Sequence, residues 1–132
     1  MTHALSWFEL PVRDVERAVE FYETVLDRRL ETTSDADVPY PTFVVDGEEV
    51  GGALVPAGTQ PAGDGDDAPT VSYEPGADGP LVYLSVADVD SALERVESAG
   101  GRVLVGRRRV ADGPRYAVVA DTEGNRVGLM DG

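Results

Sequence analysis

The sequence predicts an α+β fold: two βαβββ modules in one chain, whose curved mixed sheets pair around a cleft with the helices outside. Three observations predict it. The stretch LPVRDVERAVEFYETV from Leu10 is repeated from Leu84 as LSVADVDSALERVESA. Each copy passes from period-two to helical apolar spacing through an aspartate. Each copy is then followed by three further strand-like runs.

The first module spans residues 5–55. Phe8, Leu10 and Val12 alternate along its first strand. Asp14 stands at a helix N-cap, where a carboxylate accepts from unpaired backbone N–H groups. Val15, Ala18, Val19, Tyr22 and Val25 then recur at helical spacing, and the helix ends near Leu26. Strands follow at Arg29–Ser34, Pro41–Val45 and Glu49–Val55, with Asp46-Gly47 as a tight turn signal. Residues 56–80 are rich in Pro, Gly and Asp and read as a linker, in which Tyr73 is the one candidate to touch a ligand or partner.

The second module, residues 81–131, repeats this grammar. Val82, Leu84 and Val86 form its first strand, and Asp88 caps a helix carrying Val89, Ala92, Leu93, Val96 and Ala99. Gly100-Gly101 ends that helix. Strands follow at Arg102–Arg109, Arg115–Ala120 and Asn125–Met130. Each module lays a helix on one sheet face and leaves the other uncovered. The natural cover is the other module, so residues 1–132 read as one domain.

Charge restricts the partners. The formal net charge is −14, and all eleven basic residues are arginine. Such a surface repels phosphates and anionic lipid, which excludes nucleic acid and membrane as expected partners. No apolar run approaches the ~20 residues of a membrane span. No signal peptide is read at the N-terminus, and with no cysteine the expected location is cytoplasmic. A lysine-free, carboxylate-rich surface suits a high-salt cytoplasm, so a halophilic source is expected.

The segments WFELPVRDVERAVEFYETVL, VYLSVADVDSALERVESAGGRVLV and YAVVADTEGNRVGL together resemble the vicinal-oxygen-chelate superfamily, which groups glyoxalase I, bleomycin-resistance proteins and extradiol dioxygenases. The last segment carries that family's D-x-x-G-N ending. VGGALVP and LVYLSVADVD are similar to its glyoxalase-like and bleomycin-resistance-like group. The resemblance implies the fold described above and a small-molecule cleft between modules. In metal-using members, positions on the first, fourth, fifth and eighth module strands carry histidine and glutamate ligands. Those positions fall here on Trp7, on Gly52 or Ala53, on Leu81 and on Gly128. None offers a side-chain ligand to a divalent ion. The only histidine is His3, and Glu48 and Glu49 lie by a turn. No metal and no other cofactor is therefore expected.

Alternation lists the inner-face residues: Trp7, Glu9 and Pro11, then Leu81, Tyr83 and Ser85, then Arg126, Gly128 and Met130. Candidate ligand-binding residues are Trp7, Glu9, Leu81, Tyr83, Tyr116, Arg126, Gly128 and Met130. Glu9 is also the sole candidate catalytic group. An inward carboxylate either pairs with Arg126, anchors a cationic or hydroxylated ligand, or acts as a base if burial raises its pKa. Trp7 reads equally as core filler or stacking platform. Gly128 leaves space on its strand for Trp7 or a ligand. Arg107-Arg108-Arg109 reads as surface pairing or a dimer contact ahead of anion recognition. The expected function is small-molecule binding in a metal-free inter-module cleft, with catalysis left open. The alternative is a divalent-metal-dependent lyase, isomerase or dioxygenase of the same superfamily with an atypical site. A homodimer is the preferred assembly.

Overall fold

A computed structural model describes residues 4–33, 39–47, 49–61, 67 and 69–132. His3, Ser34 and Glu48 lie outside the described residues. The elements run β1 (Phe8–Val12), α1 (Val15–Leu26), β2 (Leu30–Thr33), β3 (Tyr40–Phe43), β4 (Gly52–Pro56), β5 (Gly58–Pro61), β6 (Thr70–Tyr73), β7 (Tyr83–Ser85), α2 (Val89–Ser98), β8 (Arg102–Arg109), β9 (Arg115–Ala120) and β10 (Arg126–Met130).

The two sheets have equivalent orders, β1-β4-β3-β2 and β7-β10-β9-β8. In each, the strand before the helix pairs parallel with the last strand, and the remaining pairs are antiparallel. The α+β fold of two βαβββ modules is thus the observed one. The stretch read as a linker carries a hairpin of its own, in which β5 pairs with β6 from Gly58↔Tyr73 to Pro61↔Thr70.

Both helices start as their aspartates dictate. Asp14 accepts from Arg17 N at 3.1 Å, and Asp88 from Ser91 N at 2.9 Å. Ala18, Phe21, Tyr22, Val25 and Leu26 form the buried stripe of α1; Val89, Ala92 and Val96 form that of α2. Burying each large side chain of these stripes contributes roughly 1.5–3 kcal/mol, several times the few tenths that separate the helix propensities of most residues. Packing, not propensity, therefore holds these helices. The stripes join Leu10, Val12, Leu84, Val86, Val119 and Leu129 in a single core spanning both modules. Close approach also fixes Gly101: a Cβ there would lie 2.6 Å from Phe21 Cε1 and 2.7 Å from Ala120 O.

The turn DTEGN, between β9 and β10, ties the modules together. Glu123 Oε1 accepts from Arg13 N and Asp14 N, both at 2.8 Å, at the start of α1. Arg17 closes on the same carboxylate at 2.7 and 3.0 Å, and the Thr122 hydroxyl donates to it at 2.7 Å. Beside it, Tyr22 donates to buried Asp121 at 2.6 Å, and Asn125 Nδ2 donates to Pro11 O at 2.7 Å. The second helix is served from within its own module: Asp131 accepts from Val89 N at 2.8 Å and pairs with Arg115, which also reaches Asp88. Arg115 thus serves the start of α2.

Candidate functional site

The sheet faces turned away from the common core stay open, with Trp7 45% and Tyr83 42% exposed. On the first module's open face four side chains form one hydrogen-bonded array. Trp7 Nε1 donates to the Tyr40 hydroxyl at 3.0 Å. Tyr40 donates to Glu9 Oε2 at 2.8 Å, and Tyr73 donates to Glu9 Oε1 at 3.1 Å.

Each element supplies one piece. Alternation about Phe8 and Leu10, which face the helices, sends Trp7 and Glu9 to the other side. The register Glu9↔Ala53 and Thr42↔Ala53 sets β3 two strands away, and Tyr40 shares a face with Thr42. Tyr73 arrives from the β5–β6 hairpin. The Trp7 ring lies over Gly51, where an added Cβ would sit 3.0 Å from it. Trp7 is thus exposed at the surface and not core filler. Partial burial, followed by the hydrogen bond to anionic Glu9, raises the pKa of both Tyr40 and Tyr73, so both remain protonated donors.

Two expectations about Glu9 change. It does not pair with Arg126, whose guanidinium donates to Gly79 O at 2.9 Å and leaves a buried Nε without a partner among the described residues. Glu9 is also exposed, which removes the burial on which a base role rested.

The second module's face gathers the other candidates. Tyr83 and Tyr116 meet edge to face, with ring centroids 6.1 Å apart. Met130 lies opposite both Tyr116 and Ser85 in register, and half-buried Leu81 precedes β7. The space at Gly128 is filled by neither Trp7 nor a ligand: the Tyr83 ring lies across it, and an added Cβ would overlap Tyr83 Cδ1. Among the described residues no hydrogen bond or ring contact joins this group to the Trp7–Glu9 array. Within the basic run, Arg107 pairs with Asp90 and Arg109 with Gly113 O, both at 3.1 Å on the surface. A separate cavity of about 240 Å³ lies between the modules, walled by Phe8, Leu26, Phe43 and Leu84 and bordered by Arg28 and Glu49; of the candidates only Tyr83 touches it.

The residues present do not fit the metal used elsewhere in this fold. Trp7, Gly52, Ala53, Leu81 and Gly128 carry no donor side chain, and the Gly128 position is closed by Tyr83. Among the described residues no three His, Cys, Asp or Glu side chains come together to hold an ion. Also among them, no helix is long and apolar enough to cross a membrane.

Sequence reasoning missed Tyr40, the residue that joins Trp7 to Glu9. Its only sequence signal is its place two residues before Thr42 on the same strand face, and that becomes informative only once the register is known.

Comparison with known proteins places these observations in a family. Residues 4–129 match the family model described as Glyoxalase/Bleomycin resistance protein/Dioxygenase superfamily. The chain is 30% identical over 142 aligned positions to the anthracycline biosynthesis protein DnrV of Streptomyces peucetius, covering 98% of this chain and 49% of that protein. The chain thus spans about half the length of that relative. Among solved structures, the hypothetical protein SA1046 from S. aureus superposes with a TM-score of 0.69 at 17% identity, covering 100% of this chain and 96% of that one. The fosfomycin resistance protein FosX from Mesorhizobium loti superposes with a TM-score of 0.62 at 19% identity, covering 100% and 94%.

Proposed function

The chain belongs to the glyoxalase/bleomycin resistance protein/dioxygenase superfamily, and from that premise we propose that it binds a small organic molecule on the first module's open face without a metal ion. The Trp7–Tyr40–Glu9–Tyr73 array carries this reading. An exposed indole and two tyrosines locked around one carboxylate on a sheet face form a largely apolar platform with a single oriented polar group, which is how small-molecule sites are built. The relative named for anthracycline biosynthesis supports an aromatic natural product as the kind of ligand. Glu9 acts here as an anchor, held in place by the two tyrosine hydroxyls. The chemistry stops at binding, and no step runs through a metal.

The chain pairs with a second copy in this reading, through surfaces other than the Glu9 array. The first module, residues 5–55, carries twelve acidic residues and four arginines; the second, residues 81–131, carries eight and seven. The second module's exposed Tyr83, Leu104 and Val105, with the arginines of β8 beside them, suit the acidic first module of a partner in both apolarity and charge.

The binding reading is tested through Trp7, the only tryptophan in the chain. Its single indole N–H resonance is followed while 1-methylnaphthalene, 1-naphthoate and N-methylquinolinium are added in turn. A saturable shift with at least one of them, lost in Tyr40→Ala, is the expected result. Silence from all three rules this face out as the site.

A further inference from the structure

The hydrogen bonds around Glu9 specify the charge of the ligand. Every polar hydrogen of the array is already spent: the Trp7 indole N–H on Tyr40, and both tyrosine hydroxyls on Glu9. The array has no donor left for a ligand, only acceptors: the remaining lone pairs of Glu9 and the free lone pair of Tyr73. With these hydrogen-bonding groups spent, the rings offer a ligand their π faces, and those faces are electronegative.

Nor, among the described residues, does an ion pair neutralise the Glu9 charge. The ion pairs of the described residues join Arg17 to Glu123, Arg28 to Glu49, Arg107 to Asp90, and Arg115 to Asp88 and Asp131. Arg126, one of the partners weighed for Glu9, donates instead to Gly79 O. An acceptor-only carboxylate beside exposed aromatic faces is a poor host for carboxylates, phosphates or carbonyl-rich molecules. It suits a cation with a flat apolar body, which gains cation–π attraction from the rings and charge pairing from Glu9 together.

We propose that the ligand class of this face is a cationic, flat aromatic molecule, an aromatic amine or quaternary ammonium, with its positive centre at Glu9 and its rings against Trp7. This rests on the first module's open face being the binding site.

The test compares N-methylquinolinium with its neutral and anionic counterparts, 1-methylnaphthalene and 1-naphthoate, on the full chain in 0.15 M salt, read at the Trp7 indole resonance. The general acidity of the protein is controlled by pairing Glu9→Gln with Glu94→Gln, which removes the same charge from a remote exposed site on α2. The expected result is that the cation binds about tenfold more tightly than the neutral compound, and that Glu9→Gln removes most of this preference while Glu94→Gln changes it less than about twofold. Neutral and cationic probes binding alike, or the two variants acting alike, overturns the charge assignment while leaving the face as a binding site. No indole shift with any probe overturns both.

Discussion

The Arg17 guanidinium, half exposed on α1, holds the buried Glu123 carboxylate through two hydrogen bonds across 106 residues of sequence. Burial alone would raise the pKa of Glu123. The Arg17 hydrogen bonds, the Asp14 N–H, the Thr122 hydroxyl and the Arg13 N–H outweigh it and bring the pKa down to about 2. A carboxylate whose pKa is depressed on folding stabilises the native state fully above its unfolded value near 4.5, and that stabilisation is lost as pH falls toward 2. At about 1.4 kcal/mol per pH unit the contribution is on the order of 3 kcal/mol. Urea unfolding at pH 7, 4 and 3 is expected to show wild type converging on Glu123→Gln as pH drops, with the variant weaker at pH 7 by about 2–4 kcal/mol. A constant gap across that range would remove Glu123 from the acid response.

Tyr83 and Gly128 form a second testable pair. Because the Tyr83 ring occupies the space where a Cβ at 128 would stand, Gly128→Ala must displace the ring. The expected cost is about 1–3 kcal/mol. In Tyr83→Ala the same glycine substitution should cost little, so the double-mutant cycle, measured by chemical denaturation, should show coupling of about 1 kcal/mol or more. Additive effects would mean that the ring does not depend on the missing side chain.

Metal content separates the proposed function from its main rival. Protein purified without chelator should contain well under one divalent ion per chain by elemental analysis, and added manganese, nickel or zinc should leave its melting temperature unchanged. One equivalent of metal, displaced by Glu9→Gln, would overturn the metal-free reading.

Assembly is open to direct measurement. Light scattering after gel filtration should give twice the chain mass of 14.0 kDa. Leu104→Asp on the exposed second-module strand should return the protein to one chain. A wild-type monomer would sink the pairing of two copies.

Much of this architecture was legible because its causes are local. The repeat, the aspartate caps at 14 and 88, and the switch from alternating to helical spacing each act within a few residues, and each appears in the structure. The placement of Trp7 and Glu9 on one face was legible for the same reason. What was not legible is non-local. Tyr40 meets Glu9 only through the register of β1, β4 and β3, which no composition rule fixes. The DTEGN turn was readable as a turn, but its acidic side chains serve the start and body of a helix 99 to 110 residues away. Pairing with Arg126 was one of the readings of Glu9 that shared inwardness allowed, and the loop carbonyl of Gly79 claims the guanidinium first.

The two helices differ in when their caps come into being. The carboxylate that completes α2's start lies 42 residues downstream in its own module, whereas the one that completes α1's start is 110 residues away, in the other module. During synthesis from the N-terminus, the first helix leaves the ribosome with Arg13, Asp14 and Arg17 still lacking the acid that will bind them. The repeat visible in the sequence therefore has unequal halves: one closes on its own residues, and the other stays provisional until the turn before β10 has been made.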